Sequence, residues 1–167
     1  ALASIAVRLP KELAYCWDAE ACRLRYAWTG EFLDTKDAWH GHKNAYAKVL
    51  GNIFYRAKDH HPLRIGNRDL IPTVKFKGYR MVNRYPEFIY QVNGVEVHEL
   101  IREKTDGSGL ERRIKIPYAL EPVWFLYDIN SGVKYDISAG KAETDGSVKL
   151  TPTEAREFTI TMSRLAK

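Results

Sequence analysis

The dipeptide Asn93-Gly94, in the middle of residues 88–101 (FIYQVNGVEVHELI), constrains the fold of this chain more than any other feature. A two-residue hairpin loop needs positive φ at both central positions, and Asn followed by Gly accepts that conformation at least cost. With the loop length fixed, the strand register has no freedom left: Val92 must face Val95, Tyr90 must face Val97, and Phe88 must face Glu99. One face then carries Phe88, Tyr90, Val92, Val95 and Val97 toward a core. Ile89, Gln91, Glu96 and His98 share the other face.

Residues 13–34 (LAYCWDAEACRLRYAWTGEFLD) read as a second hairpin, with strands over 13–18 and 22–28. Tyr15, Trp17, Tyr26, Trp28 and Phe32 suit a half-buried pleated surface, and Asp18-Ala19-Glu20-Ala21 interrupts the apolar run where a turn must sit. Cys16 and Cys22 flank five residues. Cross-strand neighbours hold their Cα atoms about 4.5 to 5.5 Å apart, within reach of a disulfide, so a Cys16–Cys22 bond is expected, with two free buried thiols as the alternative. The spacing is not Cys-x-x-Cys and no His follows Cys22, which excludes a thioredoxin-like redox pair and covalent c-type haem attachment on this chain.

Further strands are expected over residues 5–9, 74–79, 110–116, 123–127, 133–137, 147–150 and 158–162, separated by turn signals at Asp106-Gly107-Ser108-Gly109, Asn130-Ser131-Gly132, Ala139-Gly140 and Asp145-Gly146. Helical patterning is confined to residues 43–55, where Gly51-Asn52 interrupts it, and to a short turn over 153–156. Many short strands with few helices define an all-β protein, an antiparallel β-sandwich with at most one or two short helical turns. The 167 residues fit a single domain, 1–167, either a mature chain without its signal peptide or a segment of a larger multidomain protein. The longest apolar runs are too short to insert in a membrane.

A net charge of +5 raises the question of nucleic acid. The cations do not cluster: Arg23 and Arg25, Lys75 and Lys77, and Arg112, Arg113 and Lys115 mostly alternate along strand-like runs, as on the solvated face of a sheet. Lys77-Gly78-Tyr79 begins like the aromatic strand of an RNA-recognition motif, but Arg80 and Met81 break the match, so no nucleic-acid partner is expected.

The chemical candidates are few. His40, His42, His60 and His61 lie in two loop-like segments that a sheet would have to bring together to hold a metal ion, with Asp37 and Asp59 as further ligands; exposed loop histidines are the commoner state. Pairs such as Glu31 with Asp34, or Asp34 with Asp37, have the chemistry of glycoside hydrolysis. No nucleophile elbow, P-loop, zinc-protease helix or Rossmann glycine pattern is present, and no catalytic residue is assigned. Trp28, Trp39, Tyr46 and Tyr79, within a wider set that includes Tyr55, Tyr85 and Tyr90, offer rings on which a sugar can stack, although many such rings serve as core.

Tyr26-Ala27-Trp28-Thr29-Gly30, Phe32-Leu33-Asp34, Trp39, Val49-Leu50-Gly51, Pro62-Leu63-Arg64-Ile65-Gly66, Phe76-Lys77-Gly78-Tyr79-Arg80 and Pro86-Glu87-Phe88 together resemble a β-rich module of secreted or periplasmic bacterial proteins. In those multidomain proteins the module accompanies c-type cytochrome and sugar-dehydrogenase-like domains. The resemblance covers residues 5–116 and implies a secreted or periplasmic electron-transfer setting in which c-type haem sits only on a partner domain. The expected function is therefore a non-catalytic accessory module that docks a c-type cytochrome domain or a glycan. The alternative is a carbohydrate-active or metal-dependent enzyme domain using the loop His and Asp residues.

Overall fold

A computed structural model of the protein describes residues 3–30, 33–34, 48–49, 52–58 and 60–165. In chain order the strands are β1 (Ser4–Arg8), β2 (Leu13–Asp18), β3 (Arg23–Thr29), β4 (Leu33–Asp34), β5 (Lys48–Val49), β6 (Asn52–Arg56), β7 (Leu63–Ile65) and β8 (Val74–Val82). There follow β9 (Tyr85–Val92), β10 (Val95–Glu103), β11 (Gly109–Lys115), β12 (Val123–Leu126), β13 (Val133–Ile137), β14 (Lys141–Glu143), β15 (Ser147–Leu150), the one-turn helix α1 (Pro152–Ala155) and β16 (Phe158–Arg164). Three antiparallel sheets result, ordered β1-β2-β3-β6, β13-β16-β11-β10-β9-β8 and β14-β15-β12-β7, with β4 and β5 forming a two-stranded ribbon. The protein is all-β and sandwich-like, and among the described residues no helix is long and apolar enough to cross a membrane.

The three sheets close on one apolar core because each strand alternates its side chains between two faces. Tyr15, Trp17 and Leu24 enter it from the first sheet, Phe88, Tyr90, Ile114 and Ile160 from the second, and Leu63, Phe125 and Leu150 from the third. Trp17 stacks flat on Phe88 with ring centroids 4.2 Å apart, and Tyr15 meets the same ring edge-on at 6.3 Å. Those contacts join the first sheet to the second face to face.

The β9–β10 hairpin has the register that its turn dictates: Val92 pairs with Val95, Tyr90 with Val97 and Phe88 with Glu99. Asn93 and Gly94 have φ of 49° and 79°. Phe88, Tyr90, Val92 and Val97 are buried, and Val95 packs against them. The helical pattern over 43–55 is overturned for its described part, since Lys48–Val49 and Asn52–Arg56 are strands. There β6 extends the first sheet beside β3, with Tyr55 opposite Ala27 and Ile53 opposite Trp28, and this pairing outweighs a weak helical period. The short turn near 153 is α1, closed by a capping box between Thr151 and Glu154.

The expected disulfide does not exist: Cys16 and Cys22 are both free and buried. Cys16 faces Tyr26 across the β2–β3 ladder, while Cys22 lies in the turn at φ 55°, before β3 begins. Asp18 builds that turn, its Oδ1 accepting from the amides of Glu20 and Ala21 at 3.0 and 2.9 Å. Cys16 packs with Ala14 and Trp28 on one side of the sheet, and Cys22 enters the main core on the other. Burial raises both thiol pKa values, that of Cys22 to about 12.

Candidate ligand-binding cavity

A cavity of about 440 Å³ opens where all three sheets meet. Arg23 of β3 and Tyr55 of β6 line it from the first sheet, Tyr135 of β13 from the second, and Arg64 of β7 and Phe125 of β12 from the third. Tyr127 and Asp128, just past β12, and His60 and His61, between β6 and β7, complete the wall. Backbone bonds fix these links: Leu126 donates to the Pro62 carbonyl and Tyr127 to that of Gly146, both at 2.8 Å. The volume lies within the range of about 300 to 1,000 Å³ typical of small-molecule sites.

The aromatic part of the wall is a connected set of rings. Phe125 lies 6.2 Å from Tyr127 and 6.1 Å from Tyr135, and the two tyrosine rings are 4.9 Å apart. Burial raises the phenol pKa values of Tyr55 and Tyr135, so these residues present neutral hydroxyls at physiological pH.

Behind this wall lies a buried ionic group. Arg112 Nε donates to Glu99 at 2.8 Å, and the Tyr90 hydroxyl donates to the other oxygen of the same carboxylate at 2.8 Å. Arg112 and Glu99 are each 1% exposed. The Arg112 guanidinium also sits 5.6 Å from the centre of the Phe125 ring, linking the second sheet to the third. Burial alone would lower the Arg112 pKa, but Glu99, Tyr55 and Tyr90 outweigh it and raise it. Such a pair contributes little net stability while intact, yet losing one partner costs about 3 to 5 kcal/mol. The solvated-face reading of the cations on β11 is thus corrected: Arg113 points outward, whereas Arg112 shares the core side with Leu110 and Ile114.

His61 joins this group to the β2–β3 turn. The Leu63 amide donates to its Nδ1 at 3.1 Å, which leaves Nε2 as the protonated nitrogen, donating to the Cys22 carbonyl at 2.9 Å. Both ring nitrogens are therefore engaged, and neither is offered to a metal. Burial, reinforced by the guanidinium groups of Arg112, Arg23 and Arg64, lowers the His61 pKa to about 3 despite the Cys22 carbonyl, so the ring is neutral.

The cations at the cavity are unevenly satisfied. Lys58 pairs with Asp128 at 2.7 Å, and Arg64 donates through Nη1 to the carbonyls of His61 and Leu63. Arg23 is the less satisfied: among the described residues its Nε and Nη1, both shut off from solvent, have no hydrogen-bond partner, whereas Arg64 lacks one only at Nε. A buried donor left unpaired costs about 1 to 3 kcal/mol, and more when it carries charge.

The structure places the other predicted residues as follows. Trp28 is fully buried with Ala14 and Cys16, so its ring offers no platform to a sugar. Tyr79 is 56% exposed on the edge strand β8, in a different sheet. His60 is exposed at the cavity rim beside buried His61. Trp39, Tyr46, His40, His42, Glu31, Asp37 and Asp59 lie outside the described residues, as does the side chain of Asp34. Among the described residues no group of three or more His, Cys, Asp or Glu side chains is placed to hold a metal ion. Sequence reasoning missed Arg23, Arg64, Glu99, Arg112 and Tyr135 as parts of one site. One signal was available, because the Asn93-Gly94 register puts Glu99 on the core face, where a carboxylate requires a partner.

These features define an antiparallel all-β protein with a basic, aromatic-walled cavity at the junction of its sheets. No protein-family model, curated protein or solved structure matches the chain.

Proposed function

We propose that this protein is a binding module that holds a saccharide in the cavity between its sheets, in the extracytoplasmic, cytochrome-associated setting that the resemblance implies. The observation that carries the reading is the aromatic wall: the partly exposed rings of Tyr55, Tyr127 and Tyr135, backed by buried Phe125, line a cavity of about 440 Å³ that also has polar groups. Aromatic faces suit the C–H faces of a pyranose ring, and a few placed polar groups orient such a ligand. His60, Ser131 and the Lys58–Asp128 pair supply donors and acceptors for sugar hydroxyls. A concave site of this size favours a small ligand over the flat face of a cytochrome domain, so the glycan is the preferred partner of the two. Calorimetric titration with gluco-, manno- and galacturono-oligosaccharides tests the reading. Saturable binding of at least one of them, weakened at least tenfold by Tyr127→Ala, is expected; no binding across the panel overturns it.

A further inference from the structure

We propose that Arg23 is the anion receptor of this cavity, and that the saccharide it takes is acidic, bearing a carboxylate as in a uronic acid; the proposal rests on the carbohydrate reading for the sugar but not for the anion. Arg23 lines the cavity with its Nε and Nη1 removed from solvent and without a hydrogen-bond partner among the described residues, while Arg64 leaves only Nε so. A guanidinium cannot shed its charge at physiological pH, so a site that desolvates one leaves strong donors waiting for an acceptor.

No described carboxylate near the cavity is free to answer that charge. Asp128, the one acidic residue among the described residues lining it, is engaged by Lys58 at 2.7 Å. Glu99, in the layer behind, accepts from both Arg112 and Tyr90. Asp18, which faces Arg23 across the β2–β3 ladder, is turned to the amides of the turn and to Arg25 at 3.4 Å. His61 is held neutral and adds no charge of its own.

Arg56, Lys58 and Arg64 line the same cavity, so the local field favours an anion before any contact forms. A carboxylate is planar, accepts charge-assisted bonds from guanidinium, and is carried by a pyranose ring that the tyrosine rings can hold. The two halves of the wall thus fit the two halves of one ligand.

The test uses the whole protein and three probes: an oligogalacturonide, its neutral galacto-oligosaccharide counterpart, and sodium sulfate as a bare anion at constant ionic strength. The acidic saccharide is expected to bind at least tenfold tighter than the neutral one. Arg23→Met should abolish that preference, while Arg25→Met, whose guanidinium is already paired with Asp18, leaves it intact. Equal affinity for the two saccharides, or an acidic preference that survives Arg23→Met, overturns the anion assignment and leaves the carbohydrate reading standing. If no saccharide binds but sulfate raises the unfolding temperature of the native protein and not of Arg23→Met, the carbohydrate reading falls and the anion site stands. If native protein responds to none of the three, both fall. Arg23→Lys, which keeps the charge but shifts the donors, serves as the second variant should Arg23→Met fail to fold; it is expected to retain only part of the preference, and full retention of the native preference counts against the guanidinium assignment.

Discussion

The β9–β10 and β2–β3 hairpins are built from the same kinds of residue, yet only the first could be written out pair by pair from its sequence. In β9–β10 two residues with φ of 49° and 79° close the loop, and every pair follows from them. In β2–β3 four residues, Ala19 to Cys22, separate the strands, and a bulge near Cys16 and Trp17 moves the pairing again. A short loop with an obligatory conformation transmits register; a longer one, held by Asp18 side-chain bonds, lets the core choose it. The β8–β9 hairpin sharpens the lesson. Asn83 and Arg84 also have positive φ, and Val82 pairs with Tyr85, but without a glycine the sequence carried no such signal.

The largest expected effect breaks what the fixed register of β9–β10 imposes on the core. Glu99→Ala or Arg112→Ala should cost about 3 to 5 kcal/mol, since each leaves an unpaired buried charge. The double variant Glu99→Leu/Arg112→Met should cost much less than the two single losses added together. Urea denaturation measures all of these, and strictly additive losses would show that the two side chains are not coupled.

His61 ties the two hairpins together, contacting the Cys22 carbonyl at one end and the Tyr90 ring, 5.5 Å away, at the other. The unfolded chain takes up a proton at this residue near pH 6.5, whereas the folded ring does so only at about 3. Stability contributed by neutral His61 is therefore intact above about pH 6.5 and falls as pH drops, by up to about 1.4 kcal/mol per unit. Denaturation curves at about pH 7 and about pH 4.5 should show a smaller acid loss in His61→Gln than in the native protein. An identical loss would remove His61 from the account.

The two turns themselves should respond differently to a β-branched residue. Gly94→Val should cost about 2 kcal/mol from backbone strain alone, for a Cβ at Gly94 meets nothing within 4 Å. Glu20→Val, in the exposed part of the other turn, should stay within about 0.5 kcal/mol. Equal thermal shifts for the two would erase the distinction between the hairpins.

Asp18→Ala should cost about 1 kcal/mol, the worth of the turn bonds it accepts. The smallest effect is expected at the cysteines: reductant should leave the unfolding temperature unchanged, and unreduced, denatured protein should take up two alkyl groups by mass spectrometry. Uptake of none would restore the disulfide.

The sequence by itself determined the all-β class, the strands β2, β13 and β15 with the bounds the structure shows, and the whole β9–β10 register. Each of these rests on short-range physics: alternation with period two, and a turn whose dihedrals few residues accept. Only the tertiary structure decided that Cys16 and Cys22 face different clusters, that Arg112 turns inward to Glu99, and that Trp28 is buried while Tyr55 and Tyr135 reach a shared cavity. Tyr55 and Tyr135 are 80 positions apart in the chain and belong to different sheets. Nothing local links them, because where three sheets meet depends on how their twisted faces pack, and a single strand's pattern says which residues point inward but not what they will find there.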